Sequence, residues 1–304
     1  MSQRKIASVI VAYNNYHDVD ILMQKLRQID YGNHVIVIVD NTDDESLTYP
    51  GYDDVVYKKT GKNLGSASGF AMGMQLAHDC GADWIWLHDQ DGYPCDGCIE
   101  KLLQVKSDSN MVILAPVIMD ESNEEVVGFR CQNNIWMAST GVNVQVEVED
   151  VDCLGTAGIL INRAVVDKIG TYDNDHFFVG WEDFEYSLRA KKYGVRLLVV
   201  KDAQYYHPNL DRKHATNNFA AKIFIRNMVK HVIPPFIGYM RQGNYRDKRN
   251  VYAFMYMLHQ YAGPVVYGVD ILYSIFRLFI CGCMKKDVSF LDNLRLYYHC
   301  WKEL

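Results

Sequence analysis

The sequence predicts an α/β protein: a mostly parallel β-sheet flanked by helices, continued by a helical C-terminal region. Three observations carry that expectation. Apolar runs of strand length at Ile6–Ala12, His34–Asp40 and residues 84–88 and 111–117 are separated by segments of helical period. Near-continuous runs mark strands buried on both faces, as in parallel sheets with helices on each side. Three of the runs end on polar residues: Tyr13-Asn14-Asn15, Asp40-Asn41 and Asp89-Gln90-Asp91. In open parallel sheets the ligand crevice lies at the carboxyl ends of the strands.

The elements follow in order. Residues 6–12 are β-branched and apolar, residues 19–29 have helical period, and residues 34–40 form a second apolar strand ending on a carboxylate. Residues 55–58 make a short third strand. Residues 66–80 read as a helix, 84–88 as a strand, 97–106 as a helix and 111–117 as a strand. From 124 to 151 the pattern shortens and alternates, which indicates antiparallel additions. The stretch 152–162 is small and apolar, 181–193 is an amphipathic helix, 195–200 is a strand closed by His207-Pro208, and the remainder reads as helices.

Composition bounds the function. At 304 residues, with 49% hydrophobic and 22% charged residues, the chain can bury a substantial core; a disordered or polytopic membrane protein is excluded. The net charge of −6 argues against nucleic acid as a partner. That charge is unevenly spread. Residues 201–304 carry 15 Lys and Arg against 7 Asp and Glu, a balance of +8, whereas the first 200 carry 16 against 30, or −14. The basic, aromatic C-terminal third, with a mainly apolar stretch at 251–284, fits either an anionic membrane surface or a second copy of the chain, as a homodimer. No long apolar leader precedes the first strand, so no signal peptide is expected, and the 8 cysteines are expected to be reduced thiols of a cytoplasmic protein. Cys95 and Cys98 form a CxxC, but no second ligand pair at zinc spacing accompanies it, and ordinary thiols near a helix start are the simpler reading.

Five further features carry chemistry. Asp89 and Asp91 flank Gln90 just past a buried strand; such paired carboxylates hold a hard divalent cation, Mn²⁺ or Mg²⁺, though a solvated turn has the same spacing. Asp40 can accept from the imide N–H of a uracil or thymine ring, or simply form a turn. The stretch from Asn63 through Gly65 and Ser68 to Gly69 places small residues at a helix start, suited to close approach of a phosphate or sugar and equally to tight helix–sheet packing. Trp181-Glu182-Asp183-Phe184-Glu185 puts three acids and an aromatic ring at another helix start: a general base beside a sugar platform, or acids favoured by the helix dipole. His207 can complete a Mn²⁺ site as a neutral imidazole.

Ala12-Tyr13-Asn14, Val39-Asp40-Asn41, Asn63-Leu64-Gly65 with Ala67 and Gly69, Asp89-Gln90-Asp91, the run from Gly155 to Ile161, Trp181-Glu182-Asp183 with Glu185 and Leu188-Arg189, His207, and Arg226-Asn227 appear in that order. The set resembles the family-two inverting glycosyltransferases of the GT-A fold, and within them the bacterial rhamnosyl- and galactofuranosyl-type polysaccharide transferases. It departs from them at Gly155-Thr156-Ala157-Gly158, where a Thr-Ser-Gly type run is more usual. The resemblance implies a GT-A nucleotide-sugar-binding and catalytic domain over residues 1–210, with a helical region over 211–304. It implies a UDP- or dTDP-sugar donor held by Ala12, Tyr13, Asn14, Asp40, Asn63, Gly65, Ser68 and Asp89. A divalent metal would sit on Asp89, Asp91 and His207. Asp183 would be the general base, assisted by Glu185, which would orient the acceptor or pair with Arg189. Trp181, Glu182 and Arg226 would meet the acceptor, a glycan or polyprenyl-diphosphate-linked glycan at the inner face of the cell membrane.

A nucleotidyltransferase would carry a Gly-rich, Arg/Lys-bearing loop after the first strand, where Tyr13-Asn14-Asn15-Tyr16-His17 stands instead. A non-catalytic carbohydrate- or lipid-binding protein on the same scaffold could lose Asp91, Asp183 or His207, and all three are present.

Overall fold

The computed structural model describes residues 4–47, 51, 54–119, 125–126, 129–131, 138–140, 147–208, 253, 256–257, 260–261 and 298. The strands are β1 (Ile6–Ala12), β2 (His34–Asp40), β3 (Val55–Lys59), β4 (Trp84–Asp89), β5 (Tyr93–Pro94), β6 (Val112–Met119), β7 (Glu125–Val126), β8 (Phe129–Cys131), β9 (Ala138–Thr140), β10 (Val148–Asp150), β11 (Leu160–Asn162) and β12 (Arg196–Tyr206). The helices are α1 (Tyr16–Arg27), α2 (Gly65–Asp79), α3 (Cys98–Leu103), α4 (Arg163–Ile169) and α5 (Glu182–Lys192).

Ten strands form one sheet in the order β10-β12-β6-β11-β4-β1-β2-β3, with β5 paired to β12 and β7 to β6. β1 lies between β2 and β4, parallel to both, and β12 runs parallel to β6. The short β11 is antiparallel between β4 and β6. The later pairings, β6 with β7, β8 with β9 and β10 with β12, are antiparallel, in keeping with the alternating pattern of 124–151.

Successive residues of a strand point to opposite faces, and both faces here are apolar. Ala7, Val9, Val37, Ile85, Leu87 and Ile113 pack against Phe70 and Met74 of α2, Val165 of α4 and Tyr186 of α5. Ile6, Ile10, Ile38, Trp86 and Leu114 pack against Leu22 and Leu26 of α1 and Ile99 and Leu102 of α3. Each such buried Leu, Ile or Val contributes about 1.5–3 kcal/mol, which fixes the register in which the strand ends align. α2 can lie close on β1 because it has no side chains in the way: a Cβ at Gly73 would stand 2.2 Å from Val9 Cγ1, and one at Gly69 2.5 Å from Val11 Cγ1. The small residues of this helix therefore serve packing at the least.

Several boundaries differ from the sequence expectation. α1 starts at Tyr16, because Asn15 caps it by accepting from the Asp18 N–H. β12 runs on to Tyr206, past Lys201 and Asp202, because a register shift between Val200 and Gln204 lets pairing with β6 resume. Residues 163–169, not assigned from sequence, form α4, capped by Asn162, whose side chain accepts from Ala164 N–H at 3.0 Å. Most of the region 211–304, including Arg226 and nearly all of 251–284, lies outside the described residues. Among the described residues no helix is long and apolar enough to cross a membrane.

Candidate active site

The carboxyl ends of β1, β2 and β4 are adjacent, and the loops that follow them are tied together. Gln90 clamps the backbone of Tyr13: Tyr13 N–H donates to Gln90 Oε1 at 2.7 Å, and Gln90 Nε2 donates to the Tyr13 carbonyl at 3.2 Å. Asn41 N–H donates to the Ala12 carbonyl at 2.8 Å. Asn14 adopts a left-handed φ of 53° and its N–H donates to Thr42 Oγ1 at 3.1 Å. Tyr13 itself is exposed.

Asp40 is 0% exposed. Its Oδ2 accepts from the Tyr16 and Tyr57 hydroxyls at 2.8 and 2.5 Å, and its Oδ1 from Thr42 N–H at 2.9 Å. Burial opposes ionisation, but these hydrogen bonds outweigh it and lower the pKa. The carboxylate is thus enclosed, with the two tyrosine hydroxyls gathered around it at the end of β2.

Asp89 and Asp91 converge with His207. His207 Nε2 lies 3.6 Å from Asp89 Oδ2 and 3.4 Å from Asp91 Oδ1, and Nδ1 is 2.8 Å from the Pro208 carbonyl, to which it donates. The extension of β12 past the charged pair is what brings His207 here. Burial lowers the pKa of His207, but the hydrogen bond and charge of Asp89, then the charge of Asp91 and the Pro208 carbonyl, raise it overall. Asp91 is raised, chiefly by burial, against the pull of His207. Among the described residues no three His, Cys, Asp or Glu side chains are already closed around a metal position. The donor set nonetheless fits a hard divalent ion: two carboxylates and an imidazole whose second nitrogen is fixed by a carbonyl. Cys95 and Cys98 are free thiols at the start of α3.

The second half of the site is built where α2 meets α5. Gly180 and Trp181 both have positive φ, 88° and 77°, and this turn delivers Glu182 and Asp183 as the first residues of α5. Gly65, at φ 80°, lies so close to this segment that a Cβ would stand 2.1 Å from the Phe178 carbonyl. Ala67 N–H donates to that carbonyl at 3.2 Å, and Asn63 Oδ1 accepts from Gly65 N–H at 2.9 Å. Asn41 Nδ2 donates to the Gly65 carbonyl at 2.9 Å, which links β2 to the same corner. Ser68 is half-buried on the first turn of α2.

Ser66 donates its hydroxyl hydrogen to Glu182 Oε1. Glu182 is 5% exposed, and its Oε2 has no partner among the described residues. Asp183 keeps partial solvent access, and its Oδ1 accepts from Phe184 N–H at 2.7 Å. Both carboxyls have raised pKa values, first from burial; the charge of Asp183 then adds to the rise at Glu182, and that of Asp89 to both. Phe184 and Thr156 backbone hydrogen bonds favour the charged form of Asp183. Asp89 is near enough to Asp183 for its charge to add to that rise. Trp181 meets Phe184 edge-on at 5.9 Å. Glu185 lies apart: it is 3% exposed and paired with Arg189 at 2.9 Å, the second of the two roles expected for it.

A family model described as glycosyltransferase like family 2 matches residues 4–229. The chain belongs to this family. Among its curated relatives, Galactofuranosyltransferase GlfT1 of Mycolicibacterium smegmatis is 28% identical over 184 residues, covering 57% of this chain and 61% of the relative. dTDP-rhamnosyl transferase RfbF of Shigella flexneri is 24% identical over 213 residues, covering 66% of this chain and 68% of the relative. The match thus spans about three fifths of the galactofuranosyltransferase's length. The crystal structure of GalNAc-T7 with UDP, GalNAc and Mn²⁺ superposes with a TM-score of 0.54 at 15% identity, over 79% of this chain and 51% of that one. That likeness, with the family match, places this family-2 chain in the GT-A fold.

Proposed function

We propose that the chain is a metal-dependent inverting glycosyltransferase, moving a sugar from a UDP- or dTDP-sugar to a hydroxyl of a glycan or lipid-linked glycan in bacterial surface polysaccharide synthesis. The observation that carries this reading is the convergence of Asp89, Asp91 and His207, with Asp183 near enough for the charge of Asp89 to act on it. A base and a cation-binding group close to one another are what a single displacement at a sugar carbon needs.

Asp89, Asp91 and His207 would hold Mn²⁺ or Mg²⁺, which when bound neutralises charge on the departing nucleoside diphosphate. The chain's own groups do the rest. Tyr13, held by Gln90, and Tyr57 and Tyr16, held by Asp40, line the nucleotide side. Asp183 accepts the acceptor hydroxyl proton at a carboxylate oxygen as that hydroxyl attacks the face opposite the leaving group. The backbone N–H groups of Phe184 and Thr156 favour the charged form of Asp183 against the burial that raises its pKa, while its neighbour Glu182 is anchored by Ser66. Trp181 offers a ring for sugar stacking. The relatives named as galactofuranosyl- and dTDP-rhamnosyl transferases support this class of donor. A cytoplasmic site on the inner membrane face fits the basic C-terminal third.

Release of nucleoside diphosphate from UDP- and dTDP-sugars with Mn²⁺, and the anomeric configuration of the product by NMR, test the reading. Asp183→Asn is expected to abolish transfer and leave UDP or dTDP binding within about threefold. Loss of nucleotide binding in that variant would remove Asp183 as the base, and a retained configuration would remove the inverting mechanism.

A further inference from the structure

Glu185 belongs to the same helical turn as Asp183, yet the two cannot address one substrate. Residues two apart on a helix of 3.6 residues per turn point about 200° apart, and Glu185 faces inward. Its carboxylate is held on one side by Arg189, whose Nε donates to Oε1 and Oε2 at 2.9 and 3.2 Å and whose Nη2 donates to Oε2 at 2.9 Å. The same guanidinium reaches the carbonyls of Ile169 and Thr171, joining α5 to the turn after α4. On the other side the Tyr261 hydroxyl donates to Glu185 Oε1 at 2.6 Å.

Tyr261 comes from outside the family-matched stretch, which ends at residue 229. Its neighbours dock on the same part of the molecule. The Tyr256 ring stacks on His176 at 3.9 Å and 10°, and meets Phe177 edge-on at 6.0 Å. Ala253 and Met257 are buried, Ala253 against Ala67 of α2 and Phe177, with Trp181 and Tyr256 packed on that cluster. Positions 253, 256, 257, 260 and 261 are helical and fall on one helix face. That face covers the segment 176–181 and the back of α5, the two parts that deliver Trp181, Glu182 and Asp183.

We propose that Glu185 is a positioning residue and that Tyr261 completes it: the Tyr261–Glu185–Arg189 clamp locks the back of α5 so that Asp183 presents its carboxylate to the acceptor. The C-terminal segment is then part of the catalytic apparatus and not merely an appendage to the matched domain. Charge-assisted hydrogen bonds of this kind are directional as well as strong, so they fix the rotation of the helix about its axis and not only its depth. This inference rests on Asp183 acting as the base.

Tyr261→Phe in the full chain removes one hydroxyl and keeps the ring. With whichever UDP- or dTDP-sugar the wild type turns over, kcat for transfer is expected to fall about tenfold, since misplacing a reacting group by a fraction of an ångström costs rate before binding. UDP or dTDP binding with Mn²⁺, by calorimetry, should stay within twofold, and the acid limb of the kcat–pH profile should move. Glu185→Gln should reproduce the loss, and the double variant should be no worse than the more impaired single. A purely structural role would instead lower the melting temperature while leaving kcat per folded molecule and the pH profile unchanged; that result, or additive losses, overturns the proposal. If Asp183→Asn retains transfer, the base assignment fails and the clamp with it. If Asp183→Asn is inactive while Tyr261→Phe behaves as wild type, only the clamp fails.

Discussion

Nδ1 of His88 lies 3.3 Å from the hydroxyl of Tyr205, both side chains being fully enclosed and their rings stacked at 5.8 Å. The contact joins β4 to β12 beneath the sheet, one residue before Asp89 on one strand and two before His207 on the other. It continues sideways: His88 Nε2 is 3.1 Å from Ser8 Oγ, which is 2.9 Å from His34 Nε2. Four groups on four strands thus form one polar row within an otherwise apolar layer. Burial drives the His88 pKa well down and the Tyr205 pKa up, so the ring and the hydroxyl are both neutral. Room for Tyr205 comes from two glycines; a Cβ at Gly92 or Gly158 would stand 2.6 Å from its ring.

Tyr205→Phe keeps the packing and leaves His88 Nδ1 buried without its partner. A buried polar atom deprived of its hydrogen bond costs about 1–3 kcal/mol. Urea denaturation should show a loss in that range with an unchanged m-value. His88→Phe with Tyr205→Phe, which removes both polar groups, should recover part of it.

His34, at the half-buried end of that row, has its pKa lowered by burial from 6.5 to about 4. The unfolded chain therefore takes up a proton at a pH where the folded chain does not. Stability from the neutral ring is complete above pH 6.5, falls as the pH drops, and is gone below about 4. Allowing for its partial solvation, the loss across that window is roughly 2 kcal/mol. Chemical denaturation from pH 7 to 4 should show a steeper decline for the wild type than for His34→Gln. Parallel curves would mean that the ring does not titrate differently on folding.

How much of this was legible in the sequence follows from how local each cause is. β1, β2 and β4 could be read because an apolar run and its polar terminus are neighbours in the chain. Asp89, Asp91 and His207 could be picked out by chemical type after a strand. The extent of β12 was missed because Lys201 and Asp202 interrupt the apolar pattern at the irregularity after Val200. The role of Gln90 left no local signal, since its amide serves a backbone 77 residues away. The sequence leaves Asp40 open as a nucleobase acceptor or a turn former, because the partners of its carboxylate, Tyr16 and Tyr57, come from elsewhere in the chain. Glu185 and Tyr261, 76 positions apart, meet only in the folded chain.

Gly65 and Gly81 separate two effects that a glycine can have. Both have positive φ, 80° and 76°, but a Cβ at Gly81 would meet nothing within 4 Å, whereas one at Gly65 would meet the Phe178 carbonyl at 2.1 Å. Gly81→Ala should cost only the backbone strain, about 1 kcal/mol. Gly65→Ala must also push the segment carrying Trp181 off α2, and should cost about 3 kcal/mol or more. Denaturation of the two variants side by side checks the difference, and equal costs would show that the 178–182 segment yields easily.

Asp183 must be ionised to accept a proton, and burial raises its pKa from 3.8. Activity should therefore rise with pH along a limb whose midpoint lies above 3.8. Ser66→Ala withdraws the donor that lowers the pKa of Glu182. Burial raises Glu182 further than Asp183, so Glu182 already holds its proton where Asp183 titrates, and the limb should stay where it is. A pH–rate profile of kcat/KM for the two proteins checks the position of the limb, and a limb that moves in Ser66→Ala would show that Glu182 is charged where Asp183 titrates.

His207 is expected to decide how tightly the cation is held, because its two neighbours alone are a weak set. Two carboxylates separated by one residue bind Mg²⁺ or Mn²⁺ largely through retained waters and substrate phosphates. An imidazole adds a neutral nitrogen ligand, and the hydrogen bond from Nδ1 to the Pro208 carbonyl holds Nε2 toward Asp89 and Asp91 without further ordering. His207→Ala should raise the Mn²⁺ concentration for half-maximal nucleotide binding by about tenfold or more, and should affect Mg²⁺ less, since Mg²⁺ favours oxygen over nitrogen. Asp91→Asn should weaken both ions alike. Treatment with EDTA should abolish transfer in the wild type, and either ion should restore it. Equal sensitivity of Mn²⁺ and Mg²⁺ to the loss of His207 would place the imidazole outside the coordination sphere, as an ion-pair partner of the two aspartates and no more.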